Sequence, residues 1–199
     1  MPESSTALSE LDERRLVTAT ADGDLAAFES LYRAYFPRLA RFLTRMMNTA
    51  DAVEEVINDA MLVVWQKAGT YHGSSRVSTW IFGIAYLKAL KALEKIRNRM
   101  AEKHAADGLG NLQADGSISE SVELQDLLQA GLAQLPPHQR AVVELTFTMG
   151  YSYREIAEIV GCPENTVKTR MYHARERLKH VLPELTNGHQ QSDIRRSMK

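Results

Sequence analysis

The run YSYREIAEIVGCPENTVKTRMYHARERLKH, from Tyr151 to His180, concentrates side chains that bind anions. Lys168, Arg170, Arg175, Arg177 and Lys179 crowd together there, opposed by Glu164 and Glu176. Such cations hold phosphate oxygens through charge-assisted hydrogen bonds. Among them stand Asn165, Thr166, Thr169, Tyr172 and His173, whose donors and acceptors can reach base edges. A second set mixes aromatic rings with cations: Trp80, Phe82 and Tyr86, followed by Lys88, Lys91, Lys95, Arg97 and Arg99. Rings and cations together can hold a nucleic-acid strand whose bases have left the stack. Acid gathers elsewhere, in Asp51, Glu54, Glu55 and Asp59 and again in Glu102, Asp107, Asp115, Glu120 and Glu123. The net charge of -1 therefore hides a segregation, and basic and acidic islands imply two kinds of partner.

Catalysis has no comparable set. The six histidines, His72, His104, His138, His173, His180 and His189, show no paired metal spacing. There is no phosphate-cradling glycine loop and no nucleophile elbow. Cys162 is the single cysteine, so it forms no intrachain disulfide and no metal cluster, and it reads as a half-buried small residue. No catalytic residue, metal or cofactor is expected. The polar, acidic start MPESSTALSELDERR is no secretory signal, and no apolar run approaches membrane-spanning length. These features predict a cytoplasmic protein without membrane insertion.

Helices must position these groups. In the opening run, Ser152 and Glu155 have the spacing of a capping box, and Gly161 suits the left-handed residue that closes a helix. Pro163 suits the first turn of the next helix. There Val167, Met171, Ala174, Leu178 and Leu182 form an inward stripe, leaving the polar and basic residues outside or flanking. Two helices at a glycine turn with one-sided cations fit a helix-turn-helix, and equally, as a lone motif, a packed hairpin with a solvated basic face. The accompanying capping box and cations tilt the reading toward DNA.

Upstream, Leu25, Phe28, Leu31, Tyr32, Tyr35 and Leu39 repeat with helical period over 25–47, capped by Asp22 or Asp24 and kinked or divided at Pro37. Val53, Val56, Ile57, Ala60, Met61, Val64 and Trp65 mark a helix ended by Gly69, and Thr79 to Arg99 a third. From Met100 to Ser121, glycines and acid without apolar period read as a linker. Leu124, Leu127, Leu128 and Leu132 resume the period, and LPPHQR breaks it before the next helix start. No sustained alternation marks a strand. The expected fold is all-α, two small helical domains joined by a flexible acidic linker, the second holding the helix-turn-helix.

The segment LPPHQRAVVELTFTMGYSYREIAEIVGCPENTVKTRMYHARERLKHVL resembles region 4 of bacterial extracytoplasmic-function (ECF) sigma factors. GDLAAFESLYRAYFPRLARFL, DAVEEVINDAMLVVWQKAGTY and STWIFGIAYLKALKALEKIRNR resemble successive parts of region 2. The resemblance implies an N-terminal segment over 1–21, region 2 over 22–99, a linker over 100–121, region 4 over 122–183 and a tail over 184–199. It implies an alternative sigma factor that binds core RNA polymerase, through the β′ clamp helices and the β flap, and directs promoter recognition and melting. An anti-sigma factor is implied as a further partner.

By the same resemblance, Glu55, Asn58, Asp59 and Leu62 contact core polymerase. The family more often has Asp, Gln and Glu at the first three, exchanges that keep polarity and change reach. His72, Ser75, Arg76, Trp80, Tyr86, Lys88, Lys91 and Lys95 are implied in −10 binding. Trp80, in helical step with Ile81, Ile84 and Ala85, also suits a core position. Tyr86-Leu87 stand where the family often has Arg-Asn, which removes a polar contact with DNA. Asn165, Thr166, Lys168, Thr169, Arg170, Tyr172, His173 and Arg175 are implied at the −35 element. A two-domain helix-turn-helix regulator that does not bind core polymerase is the alternative; it leaves the acidic helix and the aromatic-cationic helix unexplained.

Overall fold

Ser9 Oγ accepts the free N–H of Asp12 and begins the first helix, α1 (Glu10–Ala21), whose first turn carries Glu10, Asp12 and Glu13 against the positive end of the helix dipole. A computed structural model of the chain describes residues 8–49, 52–107 and 128–197, and their side chains apart from 103–107 and 183–197. Asp51, residues 108–121 of the expected linker and the side chains of the tail lie outside these described residues. α1 has no counterpart among the helices expected from sequence. Its buried positions Glu13, Val17 and Thr20 include only one apolar side chain, so no hydrophobic period announces it.

Asp24, not Asp22, caps α2 (Leu25–Met47), accepting the N–H groups of Ala26 at 2.8 Å and Ala27 at 3.1 Å. Asp22 instead ends α1. Pro37 neither divides α2 nor ends it. The proline ring is exposed, so water can take the carbonyl that its missing N–H would have served. Asn48, left-handed at φ 53°, closes the helix. α3 (Val53–Lys67) runs into a short 3-10 turn, Ala68–Thr70, and α4 (Val77–Asp107) follows. α4 continues past Arg99, so residues 100–107 are helical where the sequence pattern gives no period.

Residues 128–133 form the described part of α5. Pro137 occupies the first turn of α6 (Pro137–Phe147). α7 (Tyr153–Val160) begins with the capping box: Ser152 Oγ accepts the Glu155 N–H, and the Glu155 carboxylate accepts the Ser152 N–H at 2.9 Å. Gly161, at φ 65°, makes the turn into α8 (Glu164–Ser197). We predict that Ser152→Ala lowers stability by about 1 kcal/mol in thermal unfolding; an unchanged midpoint would mean that the box is decorative.

Among the described residues the fold is all-α, with α1–α4 as one bundle and α5–α8, holding the helix-turn-helix, as the other. The expected inward stripe of α8 is buried at Val167, Met171 and Ala174. α4 packs against α7, and α2 against α6, so the buried residues of both bundles form one continuous cluster.

Candidate nucleic-acid and polymerase interface

α3 buries Val56, Ile57, Ala60, Met61 and Val64, and its 3.6-residue turn therefore aims Glu55, Asn58, Asp59 and Leu62 outward. Leu62 is 53% exposed, which leaves an apolar side chain beside three polar ones on an accessible face. Asn58 Oδ1 accepts the Tyr32 hydroxyl at 2.7 Å, and Asp59 pairs with Lys88 of α4 at 3.3 Å. Both pairs are exposed, so each contributes little to stability. They orient the acidic face without burying it.

Between α3 and α4 opens a cleft of about 300 Å³. Glu55 and Asp59 stand on one wall and Lys88, Lys91, Lys95 and Arg99 on the other. Across Trp80 lies a second concavity of about 510 Å³, its floor Trp80, Ile84 and Leu87 and its rim Lys67, Lys88 and Lys91. Trp80 is half-buried, its ring 5.2 Å from that of Tyr71, so it serves packing and lines this surface at once. An apolar floor with a cationic rim suits a flat base and the phosphates beside it.

The remaining −10 candidates sit less openly. His72 is exposed. Ser75 is half-buried, and its carbonyl accepts the Tyr71 hydroxyl at 2.6 Å. Arg76 reaches Glu10 of α1 at 3.6 Å and Glu155 of α7 at 2.9 Å. Burial would raise the Glu155 carboxyl, but the Ser152 hydrogen bonds and the Arg76 charge hold it below the usual carboxylate range. Tyr86 is 2% exposed, and burial pushes its phenol up against the opposing charge of Arg170. Arg170 thus packs toward α4, apart from the outward set of α8.

That outward set is otherwise assembled. Asn165, Lys168, Thr169, Tyr172, His173 and Arg175 are exposed and Thr166 is half-buried. Thr169 donates its hydroxyl to the Asn165 carbonyl at 2.9 Å, and Lys168 pairs with Glu164 at 2.8 Å. Tyr172, 61% exposed, meets His173 edge-on with ring centroids 5.5 Å apart. The Arg175 guanidinium lies 5.9 Å over the exposed ring of Phe147. Two side chains missing from the sequence-based set, Arg140 and Glu144, are buried and charged. Spacing was the available signal: Arg140 stands three residues before buried Val143, and Glu144 three residues after buried Ala141 and four after Arg140 itself.

Comparison with known proteins fits this arrangement. Residues 31–99 match the family described as Sigma-70 region 2, and residues 125–178 that described as Sigma-70, region 4. The chain is 31% identical to the ECF RNA polymerase sigma factor SigM of Mycobacterium tuberculosis over 179 residues, 90% of this chain and 89% of SigM. It is 33% identical to the ECF RNA polymerase sigma factor RpoE of Cereibacter sphaeroides over 160 residues, 78% of this chain and 86% of that protein. The sigma factor RpoE of Bartonella quintana, solved in complex with the anti-sigma factor NepR, superposes with a TM-score of 0.62 at 26% identity, over 78% of this chain and 96% of that one. The two matched regions stand in the same order as the two helical bundles, one on each, and the chain belongs to the ECF RNA polymerase sigma factors of the sigma-70 family.

Proposed function

We propose that this alternative sigma factor divides its work between two units, residues 22–99 and residues 122–183, joined by a linker over 100–121. The first unit docks on core RNA polymerase through Glu55, Asn58, Asp59 and Leu62 of α3, against the β′ clamp helices. The loop before α4 and the cationic face of α4, with Lys88, Lys91 and Lys95 around Trp80, take the −10 element as it melts. The second unit contacts the β flap and lays α8 into the major groove at the −35 element. RNA synthesis belongs to the polymerase, and the chain acts in the cytoplasm without a reaction or cofactor of its own. As with the Bartonella protein, an anti-sigma factor is a further partner.

The observation that carries this reading is the pairing of surfaces on one chain. An exposed acidic and apolar face on α3 stands beside a cationic, ring-floored surface on α4, and a separate polar face lies on α8. A regulator independent of polymerase has use for the last of these only. Added core polymerase separates the two: a sigma factor gains specific promoter binding from it, and an independent regulator does not.

Within α8 the roles divide by position. Lys168, Thr169, Tyr172 and His173 lie near the N-terminal half, where a recognition helix meets base edges. Arg175 lies further along and meets phosphate. Lys168→Ala and His173→Ala are expected to cost holoenzyme about 1–3 kcal/mol and relax preference at one promoter position each. Arg175→Ala is expected to weaken all sequences alike and lower the salt slope by about 0.9. Binding to a panel of −35 variants at several salt concentrations reads both effects. A uniform loss in all three variants reduces the face to electrostatics and removes the base-reading assignment.

A further inference from the structure

We propose that Tyr32 of α2 is a positioning residue of the polymerase-docking face. Its hydroxyl fixes the Asn58 amide so that the NH2 group, not the carbonyl, turns out to a hydrogen-bond acceptor on core polymerase. The choice of core polymerase as partner rests on the proposed docking role of α3; the set of the amide does not.

The hydroxyl is well placed for this. Tyr32 donates to Asn58 Oδ1 at 2.7 Å across 26 residues of chain, so the bond ties the amide to a second helix and not to its own. The ring that carries the hydroxyl is itself held. Its centroid lies 6.4 Å from that of Phe28 and 5.6 Å from that of Phe36, one helical turn before and after it on α2. Phe28 in turn packs edge-on against Trp65 of α3 at 5.2 Å, and all four rings are half-buried. A tyrosine side chain turns about two torsions, and neighbours on both sides leave its hydroxyl little travel.

Asn58 is the side chain whose orientation decides what the face offers. A primary amide shows an acceptor on one side and two donors on the other, and turning it over exchanges them. A free amide presents either. With Oδ1 engaged by Tyr32, Nδ2 is left outward, and no hydrogen bond among the described residues uses it. Glu55 stands one turn before Asn58 and Leu62 one turn after, with Asp59 alongside and paired to Lys88. The two carboxylates can only accept, and Leu62 offers neither donor nor acceptor. Of these four exposed side chains Asn58 alone can donate. It also stands at their centre, where the binding energy of an interface concentrates. A partner that matches the face therefore brings cations to Glu55 and Asp59 and an acceptor to Asn58.

Tyr32→Phe removes the hydroxyl and keeps the ring stack. In titrations of core polymerase with the full-length chain, its affinity should fall about two- to tenfold, the worth of one hydrogen bond. Asn58→Ala should lose at least as much. The double variant should lose no more than Asn58→Ala alone, because the hydroxyl acts only through the amide. A merely structural role would give Tyr32→Phe the same loss in both backgrounds. Asn58→Asp keeps an acceptor for Tyr32 and turns a carboxylate oxygen outward. Its added charge suits a partner that receives Glu55 and Asp59, yet binding should weaken severalfold for want of the donor. Native affinity in Tyr32→Phe, or losses that add in the double variant, overturn the positioning role. Asn58→Asp binding as tightly as the native chain, or more tightly, overturns the outward donor. Native affinity in Asn58→Ala places the fault in the docking role of Asn58, and the proposal falls with it.

Discussion

Replacing Glu55, Asn58 and Asp59 together with Lys is expected to abolish co-purification with core RNA polymerase while the helical signal of the chain stays unchanged. The three side chains are exposed, so the exchange buries nothing and opens no cavity. It removes the Tyr32–Asn58 hydrogen bond and the Asp59–Lys88 pair, each at the surface, and surface pairs are individually worth less than about 1 kcal/mol. It also takes Glu55 from the first turn of α3, where a carboxylate favours the helix dipole by about 0.3–1 kcal/mol. Lys is a good helix former, so α3 persists. The cost to docking is of another order. Three like charges turned on a partner built for acid cost several kcal/mol, a loss of affinity of at least about a hundredfold. Pull-down of core polymerase, with circular dichroism as the control, separates the two effects. Core binding retained by the folded triple variant would remove the α3 docking surface from the proposal.

The outward faces of α3 and α8 were legible in the sequence because a helix that buries every third and fourth residue has no choice about the rest. Val56, Ile57 and Ala60 on α3, and Val167, Met171 and Ala174 on α8, settle where Asp59 and His173 point. The capping box and Gly161 were legible for a related reason, since their chemistry is complete within a few residues. α1 was not, because it is held by polar as well as apolar burial. Glu13 lies beneath Arg38 at 3.4 Å, and Thr20 returns its hydroxyl to the Leu16 carbonyl at 2.7 Å. The surroundings of Arg76, Tyr86 and Arg170 were not legible either. Each meets a residue some 80 positions away in the chain, and no local spacing encodes which face of α7 and α8 will meet α4.

Arg140 carries the second large effect, one of stability. Its side chain is buried, and its guanidinium donates to four carbonyls: Leu132 at 2.8 Å, Ala133 at 2.7 Å, Leu135 at 2.8 Å and Met46 at 3.1 Å. Three of these belong to the turn where α5 ends and α6 begins, where a helix end leaves carbonyls short of backbone partners; the Leu132 carbonyl also accepts the Leu135 N–H at 3.0 Å. The fourth belongs to α2, so the same fork ties the two bundles together. Burial pulls the Arg140 pKa down and the neighbouring Glu144 opposes this, itself buried and 3.6 Å from Arg45 of α2. Arg140→Ala removes every donor at once. Each buried carbonyl left unpaired costs about 1–3 kcal/mol; the Leu132 carbonyl keeps the Leu135 N–H and the half-buried Ala133 carbonyl can turn to water, so the Leu135 and Met46 carbonyls carry the expected loss, about 3 kcal/mol. Arg140→Lys should recover only part of it, since an ammonium lacks the planar fork that spans these acceptors. Urea unfolding of both variants measures the difference. A loss under about 0.5 kcal/mol for Arg140→Ala would show that water replaces the guanidinium freely, and the α5–α6 turn would then owe its shape to Pro136 and Pro137 rather than to Arg140.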